Sequence, residues 1–281
     1  MDLDADPVHV RSETPLARLD AHLAVSGRPR LAHAVLHLAR SAHELIDVLD
    51  VDEAELAVAA RWLAEVGQAC DRQRQEWILL GDVLGIGARI AERSGAPEGG
   101  RDAPRGPFWR PDAPLRAAGA DICLDGRGES LSVRCTVSGP AGPIEGARVE
   151  TWQANPDGLY ENQDPDAQPE HNLRAVFTTD ADGVVHWRSV RPGPTRLPDD
   201  GPVGALMQRL GLSVERPASI HLSVSARGHR PLVTEVFDAA DPRLGADPIL
   251  VAKPSMAVPF ERGGTGWAVE IGIRLAAAEG N

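Results

Sequence analysis

Tyr160 is the single tyrosine of the chain, and a phenolate is among the few side chains able to hold a hard ferric ion. It closes the run Val149-Glu150-Thr151-Trp152-Gln153-Ala154-Asn155-Pro156-Asp157-Gly158-Leu159-Tyr160. One phenolate cannot enclose a metal, so the chemistry open to it depends on the partners that the rest of the chain supplies.

The run Arg216-Pro217-Ala218-Ser219-Ile220-His221-Leu222-Ser223-Val224-Ser225 offers two. Alternation along a strand sends Ile220, Leu222 and Val224 to one face and Ser219, His221, Ser223 and Ser225 to the other. An imidazole on that polar face can bind iron or zinc through one nitrogen while an acceptor fixes the other. It can equally be a satisfied structural histidine. Arg216 keeps its proton in a partly buried pocket, so it can stabilise an anionic substrate or developing negative charge, or serve as half of a salt bridge.

Other catalytic signatures are absent. Cys70, Cys123 and Cys135 are dispersed and form no Cys-x-x-Cys pair, which reads as reduced structural thiols. There is no Gly-x-Gly-x-x-Gly fingerprint, no phosphate loop ending in Gly-Lys-Ser/Thr, and no serine nucleophile elbow.

The elements that must position these groups change period near the middle of the chain. Leu31, Val35, Leu38, Ala42, Leu45 and Leu49 recur at three- and four-residue steps and form one helical stripe, a packing face. Asp52 with Glu55 reads as a capping box opening a second helix that carries Leu56, Ala59, Leu63, Val66 and Cys70, with Gly67 at a close contact or break. The apolar stretch from Trp77 to Gly87 reads as a third helix, buried against the first two or covering a pocket. Residues 91–107 are rich in Gly and Pro and read as a linker.

Beyond Gly106-Pro107-Phe108-Trp109 the period becomes two. Short strands are expected over 131–138, 147–152, 175–179, 184–190, 219–225 and 232–237, with turns at 139–143 and at Asp180-Ala181-Asp182-Gly183. The pattern predicts a mixed protein: an N-terminal α-helical domain followed by an antiparallel β-sandwich.

Composition bounds the partners. Over 281 residues, 41 acidic against 29 basic side chains give a net charge of -12, and the densest basic group, Arg72 with Arg74, lies among acids, so no nucleic-acid surface is expected. No apolar run is long enough for a transmembrane segment, and the acidic start lacks the features of a secretion signal, which predicts a cytoplasmic protein.

Over about residues 25 to 255 the chain resembles the intradiol ring-cleaving dioxygenases, and hydroxyquinol 1,2-dioxygenases in particular. The resemblance is carried by Gly67-Gln68-Ala69-Cys70-Asp71, Arg74-Gln75-Glu76-Trp77, Gly106-Pro107-Phe108, the Tyr160 run with Glu161-Asn162-Gln163-Asp164-Pro165, Asn172-Leu173-Arg174, Pro198-Asp199-Asp200-Gly201-Pro202-Val203-Gly204 and Arg216-Pro217-Ala218. It implies residues 1–24 as an extension, 25–100 as a helical dimerisation domain, 101–258 as the β-sandwich and 259–281 as a C-terminal segment. It also implies a non-haem Fe(3+) held by two tyrosines and two histidines, which cleaves a catechol or hydroxyquinol between its hydroxylated carbons.

The resemblance places the retained metal ligands at Tyr160 and His221. The other two ligand positions fall on Thr195, where a second tyrosine is implied, and on Ser219, where the first histidine of a His-x-His pair is implied. Both substitutions put weakly donating hydroxyls where charge or strong donation is needed. His229, His186 and His171 are the remaining histidines weighed as replacements.

Arg216 matches the arginine that supports the substrate. Leu80, Asp82, Gly106, Pro107, Phe108, Leu197 and Pro198 fall in segments implied to shape the aromatic pocket, and Glu235 stands where relatives often carry glutamine or histidine. The expectation is a degenerate member that binds an aromatic diol or triol, or pairs as a homodimer or as a heterodimer with an active homologue. The alternative is active ferric-dependent ring cleavage through an altered metal shell.

Overall fold

A computed structural model describes residues 14–71, 74–94 and 102–278. Residues 95–101 of the expected linker, residues 1–13 of the expected extension, and Arg72 lie outside the described residues. The chain divides into two compact units at Ala64 and Glu65.

The first unit is helical. It holds α1 (Pro15–Ala24), α2 (Pro29–Leu49) and most of α3 (Glu53–Gln68). Prolines open α1 and α2, where the missing amide proton costs nothing. The capping box forms as expected: the Glu55 amide donates to Asp52 Oδ1 at 2.8 Å and the Asp52 amide to Glu55 Oε2 at 3.3 Å. The stripe expected to be a packing face is largely exposed in this single chain. Leu31, Val35, Leu38, Leu45 and Leu49 all stay open to solvent, and α2 buries only Leu36.

The second unit begins with α4 (Glu76–Val83) and α5 (Ile86–Ser94). The single helix expected from Trp77 to Gly87 is thus two. Gly85 takes a left-handed φ of +70°, which ends the first helix and turns the chain into the second. Helix α5 also extends into the first residues of the expected linker, through Ser94.

Twelve strands follow among the described residues: β1 (Ser130–Gly139), β2 (Gly142–Pro143), β3 (Arg148–Gln153), β4 (Arg174–Thr178), β5 (Val184–Val190), β6 (Thr195–Arg196), β7 (Glu215–Arg216), β8 (Ser219–Ser225), β9 (Leu232–Asp238), β10 (Ala257–Val258), β11 (Glu261–Gly263) and β12 (Gly266–Arg274). Helix α6 (Pro202–Arg209) lies between β6 and β7. One five-stranded sheet runs β11-β12-β1-β2 with β5 also on β1; the other runs β10-β9-β8-β3-β4. Most pairings are antiparallel as expected, but β1 with β12 and β9 with β10 are parallel, so both sheets are mixed. Strand β12 belongs to the stretch set apart in sequence as a C-terminal segment, and it pairs with β1 along Leu131 to Ser138.

The two sheets meet through alternate residues. Leu131, Val133, Cys135 and Val137 of β1, with Trp187 of β5, pack with Phe177, Ile220, Leu222 and Val224 of the other sheet in one buried cluster. Each fully buried large apolar side chain contributes about 2 kcal/mol by its removal from water. This core fixes the register of β8, and a slip by one residue would send its whole apolar set to the opposite face. With Ile220, Leu222 and Val224 committed to the core, Ser219, His221 and Ser223 must project from the other side of the sheet.

Candidate active site

His221 sits in the middle of β8, opposite Trp152 of β3 and Glu235 of β9. Residues directly opposite in neighbouring strands share a face, so the three form one row across the sheet. The indole of Trp152 stacks on the imidazole with ring centroids 5.0 Å apart and planes 12° from parallel.

Tyr160 arrives from the loop after β3. That loop is shaped by Asn155, whose Oδ1 accepts from the Asp157 amide at 3.0 Å and the Leu159 amide at 2.9 Å. Gly158 follows with φ +83°, and a β-carbon there would overlap the Pro194 carbonyl oxygen. The Tyr160 loop and the 191–195 loop are therefore pressed together, which brings Thr195 beside the turn that carries Tyr160. Gln153 Nε2 donates to the Val190 carbonyl at 2.8 Å and pins the base of the second loop to β3.

Tyr160 is buried, its ring 6.0 Å from that of His221 and stacked on Phe108 at 4.6 Å. The Arg174 guanidinium lies 5.9 Å from the Tyr160 ring centroid. Burial pushes the Tyr160 phenol well above its ordinary pKa; Glu235 adds to the rise, and Arg216 and Arg174 oppose it. Burial pulls His221 down to about 4, against the opposing pull of Glu235, so its imidazole is neutral at pH 7. His221 Nδ1 is buried without a hydrogen bond, and Glu235 Oε1 is 3.7 Å away, beyond hydrogen-bond reach.

Arg216, in β7, is buried between two carboxylates. Its Nη2 is 3.0 Å from Glu235 Oε2 and its Nε 2.9 Å from Asp247 Oδ1. Burial alone would weaken its charge, but Glu235 and Asp247 more than restore it and leave its pKa raised. Thr195 is the β6 partner of Arg216 in the short β6–β7 pair, and Ser219 is buried at the start of β8 opposite Phe237. The positions singled out in sequence thus fall on adjoining elements: Tyr160 on its loop, Thr195 and Arg216 paired, Ser219 and His221 two apart on one strand face.

The expected pocket residues divide. Phe108 packs on Tyr160, and a β-carbon on Gly106 would lie 4.0 Å from His221 Cε1. Pro107 lies between them in the same turn. Asp82 on α4 is half-buried; burial raises its pKa and Arg216 lowers it. Leu80 is buried on α4. Leu197 packs against the separate cluster of Ala103, Phe237, Ile249, Val251 and Met256, and Pro198 beside it is exposed. Sequence reading missed Trp152 and Asp247. Trp152 becomes visible once β3 is registered against β8, whereas Asp247 lies in an irregular turn that no periodicity marks.

Of the replacement histidines, His229 Nδ1 donates to the Arg227 carbonyl at 3.0 Å, and His186 faces the turn at Gly119. Among the described residues, the group of three His, Cys, Asp or Glu side chains close enough to share a metal is Asp112, Glu170 and His171. It includes neither Tyr160 nor His221, and Arg110 already pairs with both of its carboxylates.

Residues 105–262 match the family model described as Dioxygenase, and residues 28–100 that described as Catechol dioxygenase N terminus. The chain is 40% identical over 237 residues to a hydroxyquinol 1,2-dioxygenase of Rhizobium sp. (strain MTP-10005), covering 83% of this chain and 80% of the relative. It is 36% identical over 239 residues to a 6-chlorohydroxyquinol 1,2-dioxygenase of Cupriavidus pinatubonensis, covering 84% and 86%. Among solved structures, hydroxyquinol 1,2-dioxygenase from Pseudomonas putida DLL-E4 superimposes with a TM-score of 0.88 at 29% identity, over 94% of this chain and 97% of that one. No helix among the described residues is long and apolar enough to cross a membrane.

Proposed function

The chain belongs to the intradiol ring-cleavage dioxygenase family, and from that premise we propose that it is a degenerate member, one that binds a hydroxylated aromatic without cleaving the ring. The observation that carries this reading is the makeup of the cluster around His221. Tyr160 and His221 are brought together and buried, while the companion positions present the hydroxyls of Thr195 and Ser219.

A ferric ion needs hard, charged donors to balance it. Thr195 and Ser219 are neutral and weak donors, and the nearby carboxylate of Glu235 is already engaged by Arg216. The side chains present do not fit the four-donor ferric shell that the family resemblance implies. Iron-dependent cleavage through an altered shell remains the second reading, and it draws on His221 Nδ1, which is buried without a hydrogen bond 3.7 Å from Glu235 Oε1.

The exposed stripe of α2 supports association with a second chain, because contiguous apolar surface of this kind marks interaction sites. A homodimer is the simplest occupant. Titration of the purified protein with catechol and with hydroxyquinol, followed by heat or by indole fluorescence, tests the binding reading. Saturable binding without ring-cleaved product is expected. Product formation would favour the second reading, and no saturable signal with either compound would reject the aromatic-binding role.

A further inference from the structure

Helix α2 carries His33 and His37, four residues apart, so one turn of helix brings both onto the same side. Both are exposed, and their rings are in contact, with centroids 4.4 Å apart and planes inclined at 62°. Among the described residues neither imidazole is engaged in a hydrogen bond or an ion pair, so their nitrogens are free to donate to an ion. The contrast is with Asp112, Glu170 and His171, whose carboxylates are already paired with Arg110.

The spacing of the rings says what kind of ion suits them. Taking about 2.0 Å for a metal–nitrogen bond and about 1.1 Å from that nitrogen to its ring centre, two imidazoles at a right angle about one ion have centres about 4.4 Å apart, and two at a tetrahedral angle about 5.1 Å. The separation in α2 is 4.4 Å, the value for a right angle. Turning a ring about its Cβ–Cγ bond swings its nitrogens while leaving its centre nearly in place, and that torsion is soft in histidine. The spacing thus survives the reorientation that chelation requires. Right-angled nitrogen donors suit tetragonal copper(II) and nickel(II) better than tetrahedral zinc(II).

The surroundings leave the pair accessible. The midpoint of the two histidines lies about 140° round α2 from the centre of the apolar stripe, at about 100° per residue, so a partner that covers the stripe need not cover the rings. Arg30 and Arg40 flank the pair, each three residues beyond it. Arg40 lies 3.8 Å from Asp20 of α1, and both guanidiniums are exposed, so water and salt screen the repulsion they add.

We propose that His33 and His37 form a surface chelate for a divalent transition-metal ion of tetragonal preference, copper(II) or nickel(II), with the remaining coordination positions left to water. No residue of the candidate active site takes part. The ion binds the folded helix and not the unfolded chain, where the two rings are not held together, so it stabilises α2 as it binds.

The full-length protein, stripped with chelator and dialysed, is titrated with nickel(II) chloride and separately with zinc(II) chloride at about pH 8, where ordinary imidazoles are unprotonated. Heat of binding and the thermal midpoint are followed. Saturable nickel binding is expected, tighter than zinc, with a rise in the thermal midpoint. His37→Ala and His33→Ala, both exposed helix positions where alanine is tolerated, are each expected to weaken nickel binding by about tenfold or more and to remove the rise. Nickel binding undiminished in the double variant would overturn the proposal. So would a loss of binding in His171→Ala or His221→Gln with none in the α2 variants, because the ion would then sit at those residues. No saturable nickel binding would overturn it outright, and zinc binding tighter than nickel would overturn the tetragonal assignment.

Discussion

The rings of Tyr160 and His221 lie 6.0 Å apart and tilted by 58°, one delivered by the loop after β3 and the other from the middle of β8. Their meeting depends on β3 and β8 being neighbours, which puts Trp152 and the Tyr160 loop beside the strand face that carries His221. The scaffold for a phenol and an imidazole is thus built in full, while Thr195 and Ser219 leave the set of strong donors incomplete.

The α4–α6 connection rests on Glu76, which is almost fully buried and accepts from the Val203 amide at 3.0 Å at the start of α6 and from Arg74 Nε at 2.8 Å. Glu76→Ala removes both and leaves two donors without a partner. The expected loss is about 2 kcal/mol, less than for a fully buried pair because Arg74 is partly exposed. Urea denaturation of wild type and variant measures it, and equal midpoints would show that the carboxylate holds nothing in place.

His221 titrates near 4 in the folded chain against an ordinary value of 6.5. As pH falls below about 6.5 the unfolded chain takes up this proton before the folded one, so stability drops until about pH 4, where the folded form is protonated too. The total from this group is about 3 kcal/mol at most. His221→Gln is expected to flatten that part of the acid limb when urea midpoints are compared across pH. An unchanged slope would mean the imidazole is already protonated, or solvated, in the fold.

Much of this was legible in the sequence because core-facing alternation is strong. The spans of β5 and β8 follow directly from it, as do the capping box at Asp52 and the turn at Asp180, where the Asp182 and Val184 amides donate to Asp180 Oδ1. What was not legible depends on non-local pairing. The parallel return of β12 onto β1 joins segments far apart in sequence, and the break at Gly85 is a backbone event inside a largely apolar run. Within the site, Ser219 and His221 could be placed on one face from period alone. The Glu235–Arg216–Asp247 triad required three elements brought together by the fold, two of them without helical or strand periodicity of useful length.

The apolar face of α2 has a direct consequence in solution. Leu38 and Leu45 are 73% and 57% exposed, too much apolar surface in one stripe for an isolated chain to leave uncovered without consequence. Sedimentation is expected to give a dimer for the wild type and a monomer for the combined Leu38→Glu and Leu45→Glu variant. A monomeric wild type at micromolar concentration would remove the dimer from the account.

The proposed loss of a ferric site, with its place in the fold kept but not the donors to hold the ion, has a direct consequence for metal content. Expression with supplemented iron, purification without chelator, and measurement of iron per chain together with the visible absorption of ferric tyrosinate tests it most directly. Little iron and no visible band are expected. Near-stoichiometric, coloured iron would contradict it and show that Tyr160 and His221 have found partners other than Thr195 and Ser219.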